Sequence, residues 1–422
     1  MAATTYEIRL YDTPLVRLSW QVDELGQTHT QTVWADADKV HLLPPSLMLD
    51  QGPERIEAWL ASRVIPESRA FADVILASCG LGVGDTKGII DVCHGLSAND
   101  AFWVVPEGFV GSWHEHNLYE NQLDAVLARV AYTGTGAGQR YKAGLSAEWT
   151  CDGTYPKAWR RIGDNLVLFK GPNPLCEGTA NPDLGVWSEY FAAQVAEALE
   201  VPHVDYRIEA WEGKIASTCP LANDSDTALV PYHLAAGNTG YVNVVNTYAR
   251  LGQVWLEAAL DMFMFDAIIA NTDRHAANHS VLRDNHSGAW IGPAPLFDHN
   301  LSLFPMDMPS DHDTWPHVPD GLMRRPAGAR ISFDTVMCQV CTHKHHAWGR
   351  RLLDLKLRNH ERYPLDESRV HALERFLHVQ GRRILEKTPH TLESVADLFA
   401  RQGGDTPRIA CPLLSGDIMN RD

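Results

Sequence analysis

The segment Asn271-Thr-Asp273-Arg-His275-Ala-Ala-Asn278-His-Ser places an aspartate and an asparagine five positions apart, directly after a strongly apolar run. Polar residues that follow a buried helix line either solvent or a site. Four intervening residues allow the loop to fold back, so that the Asp273 and Asn278 side chains converge. Twenty residues after Asn278 comes Asp298, in Pro295-Leu-Phe-Asp298-His-Asn, an acidic residue behind a buried apolar pair. Two carboxylates and an amide form an oxygen set suited to Mg²⁺, which takes a few protein oxygens and completes its octahedron with phosphate and water. Phosphoryl transfer needs this inventory: one carboxylate at the attacking hydroxyl, and an amide and a second carboxylate on the metal.

Such chemistry also needs positive charge on the nucleotide phosphates. Lys170 ends the buried-strand pattern Asn165-Leu-Val-Leu-Phe-Lys, and Glu189 lies nineteen residues on, in the first turn of the next helix, as its ion-pair partner. Lys157, in Tyr155-Pro-Lys-Ala-Trp-Arg-Arg161, is a candidate second phosphate contact.

The elements that must carry these residues follow from periodicity. Residues 5–35 alternate apolar and polar in short runs broken by turn signals, as antiparallel strands do. From Pro53 to Leu81 the spacing becomes helical, and Asn117 to Val130 reads as an amphipathic helix with Leu123, Val126, Leu127 and Val130 on one face. Thr133-Gly-Thr-Gly-Ala-Gly-Gln-Arg140 is small, polar and aperiodic. No strand leads into its GxGxG and no long helix follows it, so it reads as a linker rather than a phosphate loop. Ser188 to Leu199 reads as a helix with Ser188 as N-cap, stopped by Val201-Pro202. Residues 203–221 form two strands around Trp211-Glu-Gly213, and Val254 to Ala270 is an apolar helix. Residues 279–292 make a hairpin that returns the chain to Asp298, and Trp348 to Leu398 is mostly helical.

Composition bounds the partners. The 422 residues are 45% hydrophobic and 21% charged, a globular balance long enough for two or three domains. The net charge of −17 argues against direct nucleic-acid binding or an anionic membrane surface as the main role. With no leader-like or membrane-spanning pattern, a cytoplasmic location is expected. The eight cysteines are scattered, which suits reduced thiols. Cys338-Gln-Val-Cys341-Thr-His-Lys-His-His346 has metal-ligand types but lacks a second pair. Its helical flanks predict that both cysteines face inward as small apolar residues without a metal. Lys344 to Arg362, with Arg350, Arg351, Lys356 and Arg358, is a basic helix surface read as a solvated face, a docking site for an acidic partner being the sharper alternative.

Asn271 to Ser280, with Leu296-Phe-Asp-His-Asn300 after a hairpin, resembles the active site of HipA-like serine/threonine kinases, whose fold is related to phosphoinositide lipid kinases sharing the Asp-Arg-His-x-x-Asn loop. Pro156 to Arg161, Leu168 to Gly171, Ser188 to Leu199, His94 to Trp103 and Asn117 to Asn121 are similar too, so the resemblance covers roughly residues 80–400. It implies an α+β, bilobal protein-kinase-like fold: an N-terminal α+β module (1–135), a β-rich nucleotide-binding lobe (136–222) and a helical C-terminal catalytic lobe (223–422). It implies ATP and Mg²⁺ as cofactors, Asp273 as base or hydroxyl-orienting residue, Asn278 and Asp298 as catalytic metal ligands, and Lys170 with Glu189 at the phosphates.

His275 of the same loop and Leu221, in the segment Cys219 to Ala222 that would meet adenine, join the nucleotide side. The family's small-residue loop is poorly matched by Gly144 to Gly153, where Ser146 and Gly153 are the candidates. The implied acceptor is a protein serine or threonine, and an antitoxin-like partner and a toxin role are raised. A small-molecule or lipid kinase is the alternative, because the loop does not choose an acceptor. A partner-binding regulator with secondary catalysis is the reading from another class.

Overall fold

The structure, a computed structural model, describes residues 4–23, 28–48, 52–136, 141–176, 183–237 and 239–403. The chain starts with antiparallel strands β1 (Thr4–Leu10), β2 (Thr13–Val22) and β3 (Thr28–Ala35), as the alternation predicts. Helices α1 (Pro53–Ala61), α2 (Ala72–Ser78) and α3 (Thr86–Cys93) follow, then β4 (Phe102–Pro106), a short α4 (Trp113–His116) and α5 (Ala125–Thr133). The sheet order is β3-β2-β1-β4. Tyr6, Ile8 and Leu10 point into one core with Ile56, Leu60, Ile75 and Ile90 of the helices, a strand period of two meeting helical stripes.

The helix expected from Asn117 starts later, at Ala125. Asn117 Oδ1 accepts from the backbone N–H of Tyr119 and Glu120, which holds a turn, and Asp124 Oδ1 caps Val126 and Leu127 at 3.0 Å. Val126 is accordingly exposed, while Leu127 and Val130 are buried. Gly134, at φ +72°, ends α5 as a left-handed cap, so the glycine-rich stretch opens as a helix terminus. Its residues 137–140 lie outside the described residues.

A second sheet carries β5 (Lys157–Ile162), β6 (Asn165–Lys170), β7 (Arg207–Trp211) and β8 (Lys214–Pro220) in the order β5-β6-β8-β7, with α6 (Gly185–Leu199) between β6 and β7. Helix α6 begins three residues before the expected Ser188. Asp183 Oδ1 accepts from Gly185 N at 2.8 Å, and Ser188 is a buried helical residue. Glu189 therefore stands one turn deeper than expected, in the second turn. Glu200 ends the helix with a left-handed φ of +59°.

The remainder is mostly helical. Strand β9 (Thr227–Pro231) leads to α7 (Tyr232–Ala236), α8 (Tyr241–Leu251) and α9 (Gln253–Ile268). Strands β10 (Ser280–Asp284) and β11 (Trp290–Pro293) form the expected hairpin, and β10 pairs with β9 on its other side. Then come α10 (Phe333–Val340), α11 (His343–Leu353), α12 (Glu367–Glu386) and α13 (Leu392–Gln402). Helix α9 is buried over most of its length in the largest core, which Phe265 and Ile268 share with Phe333, Phe376 and Leu377. Its buried Asp261 and Asp266 are paired with Lys344 and Arg274.

One surface expectation changes, and the basic run stays the solvated face expected of it. Cys341 is buried, but Cys338 is exposed, because α10 turns that position outward. The basic run is largely neutralised in place: Lys344 pairs with Asp261, Arg351 with Glu200, Lys356 with Glu374 and Arg358 with Glu197. Among the described residues no helix is long and apolar enough to cross a membrane.

Candidate active site

The loop after α9 is built around one buried arginine. Arg274 Nε and Nη2 grip Asp266 of α9 at 2.9 and 3.0 Å, Nη1 donates to the backbone oxygens of Asn278 and, at 2.7 Å, Phe297, and Nη2 meets His299 Nδ1 at 3.0 Å. One side chain thus ties the helix, the Asp273–Asn278 loop and the Asp298 segment together. Asn271 adds a second bond to Asp266 at 2.9 Å and accepts from Asp273 N at 3.0 Å. A guanidinium has five fixed donors, and no other side chain satisfies so many converging acceptors at once.

Within that frame Asp273 and Asn278 do converge. Asn278 Nδ2 donates to the Asp273 backbone oxygen at 2.8 Å and to its Oδ2 at 3.3 Å. This leaves the amide oxygen of Asn278 as the atom a cation would take. The Asp273 side chain is one-third exposed, and burial raises its carboxyl above the ordinary value, with His275 opposing. His275, half-exposed, stands 3.9 Å from Asp273 Oδ1.

Asp298 has a left-handed φ of +59°, and Leu303 and Phe304 just beyond it are left-handed too. Such backbone costs about 1–3 kcal/mol per residue and persists only where the surroundings over-determine it. Here Asp298 N donates to Tyr206 Oη at 3.0 Å, and Arg369 of α12 donates to the backbone oxygens of Phe304 and, at 2.9 Å, Asp307. The twist turns the Asp298 carboxylate back toward the second sheet.

There it meets Lys170. The ammonium donates to Glu189 Oε1 at 2.9 Å and to Asp298 Oδ1, while Ser217 Oγ donates to the other Glu189 oxygen. Lys170 and Glu189 are buried, and burial alone would neutralise both. Burial works against the Lys170 ammonium, but Asp298 and Glu189 outweigh it and raise its affinity for the proton. Burial would raise Asp298, yet the charges of Lys170 and Lys157 hold its carboxyl well below the usual carboxylate range. Burial dominates at Glu189 and pushes it up. The bond between Lys170 and Asp298 joins residues 128 positions apart and brings the β-rich and helical lobes together at one crevice.

Lys157 faces Lys170 across the β5/β6 ladder, and Gly153, at φ +95°, lies so close that a Cβ there would sit 2.4 Å from Lys157 Nζ. Two other candidates are engaged elsewhere. Ser146 is buried as the cap of a 3₁₀ turn, its Oγ accepting from Glu148 N. Leu221 hydrogen-bonds Leu166 O through its N–H and packs against the N-terminal core. The residue analysis missed Arg274, Asp266, Tyr206 and Ser217, and also Tyr155 and Asp183, which line the crevice beside Lys170 and Glu189. Arg274 had a readable signal, a charged residue between two chemically marked positions. The others had none, since nothing local distinguishes them. Among the described residues, no cluster of three or more His, Cys, Asp or Glu side chains suits a metal ion. The oxygen set here, two carboxylates and an amide, fits a hard cation shared with phosphate oxygens rather than an all-protein cage.

No family model matches the chain, and no curated protein matches it by sequence. Among solved structures it is similar to HipA of Shewanella oneidensis MR-1, solved in a toxin–antitoxin complex with HipB and operator DNA. The TM-score is 0.54 at 16% identity, over 93% of this chain and 99% of that one. It is also similar to the proinflammatory kinase CtkA of Helicobacter pylori, with a TM-score of 0.39 at 18% identity over 58% of this chain and 94% of that one. The first likeness spans nearly all of both chains and shows a HipA-like fold.

Proposed function

We propose that this chain is a HipA-like kinase that transfers the γ-phosphoryl group of ATP to a serine or threonine hydroxyl of a protein. The observation that carries the reading is the crevice where Lys170, Glu189 and Asp298 meet opposite the Asp273–Asn278 pair. An ammonium, a metal-type carboxylate, an amide oxygen and a second, partly exposed carboxylate form the parts list of phosphoryl transfer. The HipA-like fold supports it.

In this reading Lys170, held by Glu189, binds the phosphates, and Lys157 adds a second positive charge. Asn278 and Asp298 would hold Mg²⁺, which would supply positive charge to neutralise the nucleotide phosphates. Asp273 accepts a hydrogen bond from the acceptor hydroxyl, aims its oxygen and takes its proton as the new P–O bond forms and the bond from the γ-phosphorus to the ADP oxygen breaks, releasing ADP. Its raised pKa brings it closer to the range where a carboxylate serves as a base. Residues 219–222, at the end of β8 and the start of its link to β9, would border adenine through backbone groups, the Leu221 side chain being packed against the N-terminal core. An antitoxin-like partner belongs to the same proposal, motivated by the complex in which the Shewanella protein was solved.

The test is a titration of ATP with and without Mg²⁺ on Asp273→Asn and Asp298→Asn, beside a transfer assay. Asp273→Asn should bind ATP·Mg²⁺ and fail to transfer; Asp298→Asn should lose much of the Mg²⁺ dependence of binding as well. Normal transfer by Asp273→Asn would make the 271–278 loop structural and defeat the proposal.

A further inference from the structure

Arg69 belongs to the N-terminal module, far in sequence from every candidate above, and its side chain is fully buried against the segment that leads into β5. Nη2 donates to Lys157 O at 2.7 Å and to Glu148 Oε2 at 2.9 Å; Nη1 reaches Tyr155 O at 3.4 Å. The next residue continues the contact, Ala70 N donating to Gly153 O at 3.4 Å. Glu148 uses its second oxygen to accept from Trp159 N at 2.7 Å.

The carbonyls of Gly153, Tyr155 and Lys157 therefore all turn toward Arg69 and Ala70. The side-chain ends of the same stretch serve the crevice: the Tyr155 ring lies 5.6 Å from Lys170 Nζ, and the Lys157 charge acts on Asp298. One face of this strap is anchored from the N-terminal module, and the other lines the phosphate side of the site.

We infer that Arg69, with Glu148, is a positioning residue for nucleotide binding: the N-terminal module completes the site by holding the Gly153–Lys157 strap at the height where Lys157 and Tyr155 meet the phosphates. The inference rests on the ATP reading above. A long flexible amine binds phosphate well only when its stem is placed beforehand, because ordering it costs side-chain entropy. Arg69 supplies a fork of two donors to a strap that has few hydrogen bonds of its own. A lysine would keep the buried charge beside Glu148 but cannot reproduce the fork.

The experiment uses the full chain with Arg69→Lys and, separately, Gly153→Ala, which leaves the buried pair untouched but forces a Cβ into a left-handed position against Lys157. ATP·Mg²⁺ affinity, KM for ATP, kcat and melting temperature are measured on each. Both variants should raise the nucleotide Kd and KM about tenfold, with kcat at saturating ATP changed less than about threefold. Gly153→Ala should do so with a melting temperature only a few degrees lower, the fall that a left-handed alanine alone would cause. Unchanged Kd and KM in either variant would overturn the inference, as would a fall in kcat with KM intact. A wild-type chain that binds no ATP would instead defeat the kinase reading itself, and the two failures are distinct.

Discussion

The two halves of the crevice are assembled differently. The side that the proposal gives to the acceptor comes from a single stretch: Asp266, Asn271, Asp273, Arg274, Asn278, Asp298 and His299 lie within 34 residues and are knotted by Arg274. The phosphate side is gathered from Arg69, Glu148, Lys157, Lys170, Glu189 and Ser217, across almost 150 residues and two cores. A site built from one segment keeps its geometry through local bonds. A site built from many depends on how modules pack. Damage to the first should therefore appear mainly in chemistry, with the proposed Mg²⁺ ligands Asp298 and Asn278 also touching Mg²⁺-dependent binding, and damage to the second in binding.

The largest expected effect is on the acceptor side. Asp273→Asn should lower transfer about 10²–10⁴-fold with little change in ATP affinity, because the amide cannot take the hydroxyl proton. In the wild type the rate should rise with pH through a group whose pKa lies above the ordinary ~3.9 of aspartate, since Asp273 must be deprotonated to act. A pH–rate profile that the substitution leaves unchanged would detach Asp273 from the chemistry.

Lys170→Met comes next, and it should strike binding first. It removes the partner of two carboxylates and leaves Glu189 buried without its cation, a type of loss that costs about 3–5 kcal/mol. ATP affinity should collapse and the melting temperature should fall. Glu189→Ala should show a partial form, since Asp298 still holds the ammonium. Equal and normal ATP affinity in both variants would break the contrast between the halves.

Arg274→Lys sharpens the comparison from the other direction. It touches no substrate in this account, yet it should lower kcat about tenfold or more by loosening Asn278 and the Asp298 segment together, with a drop in melting temperature as the Asp266 fork is lost. A variant with wild-type kcat would show that the loop does not need its knot.

The smallest effect is expected far from both halves. Cys338→Ser, at an exposed position on α10, should change stability by less than about 0.5 kcal/mol, and chelator treatment should leave the melting temperature unchanged. One tightly held zinc per chain, lost together with the fold, would overturn that expectation.

The same contrast explains what could be read from residues alone. Asp273, Asn278 and Asp298 were legible because their spacing is local, and the hairpin between them follows from alternation and turn residues. Lys170 with Glu189 was legible because a strand, a short connection and a helix bring them together in one step. Arg69, Glu148, Tyr206 and Ser217 were not, since the partners that tie them to the crevice lie 28 to 92 positions away and a lone arginine or serine carries no mark of its destination. Most of the elements were visible as periodicity. Their starts were less so: the turn at Asn117 and the cap at Asp183 are side-chain bonds to backbone that periodicity does not register.

The most direct measurement is incubation of the full chain with γ-labelled ATP, Mg²⁺ and lysate, followed by identification of the labelled species, with Asp273→Asn run in parallel. The account predicts label on serine or threonine of a protein, dependent on Mg²⁺ and absent with the variant. Label confined to a small molecule or lipid would contradict the acceptor. Absence of both label and ATP binding in the wild type would contradict the kinase reading as a whole.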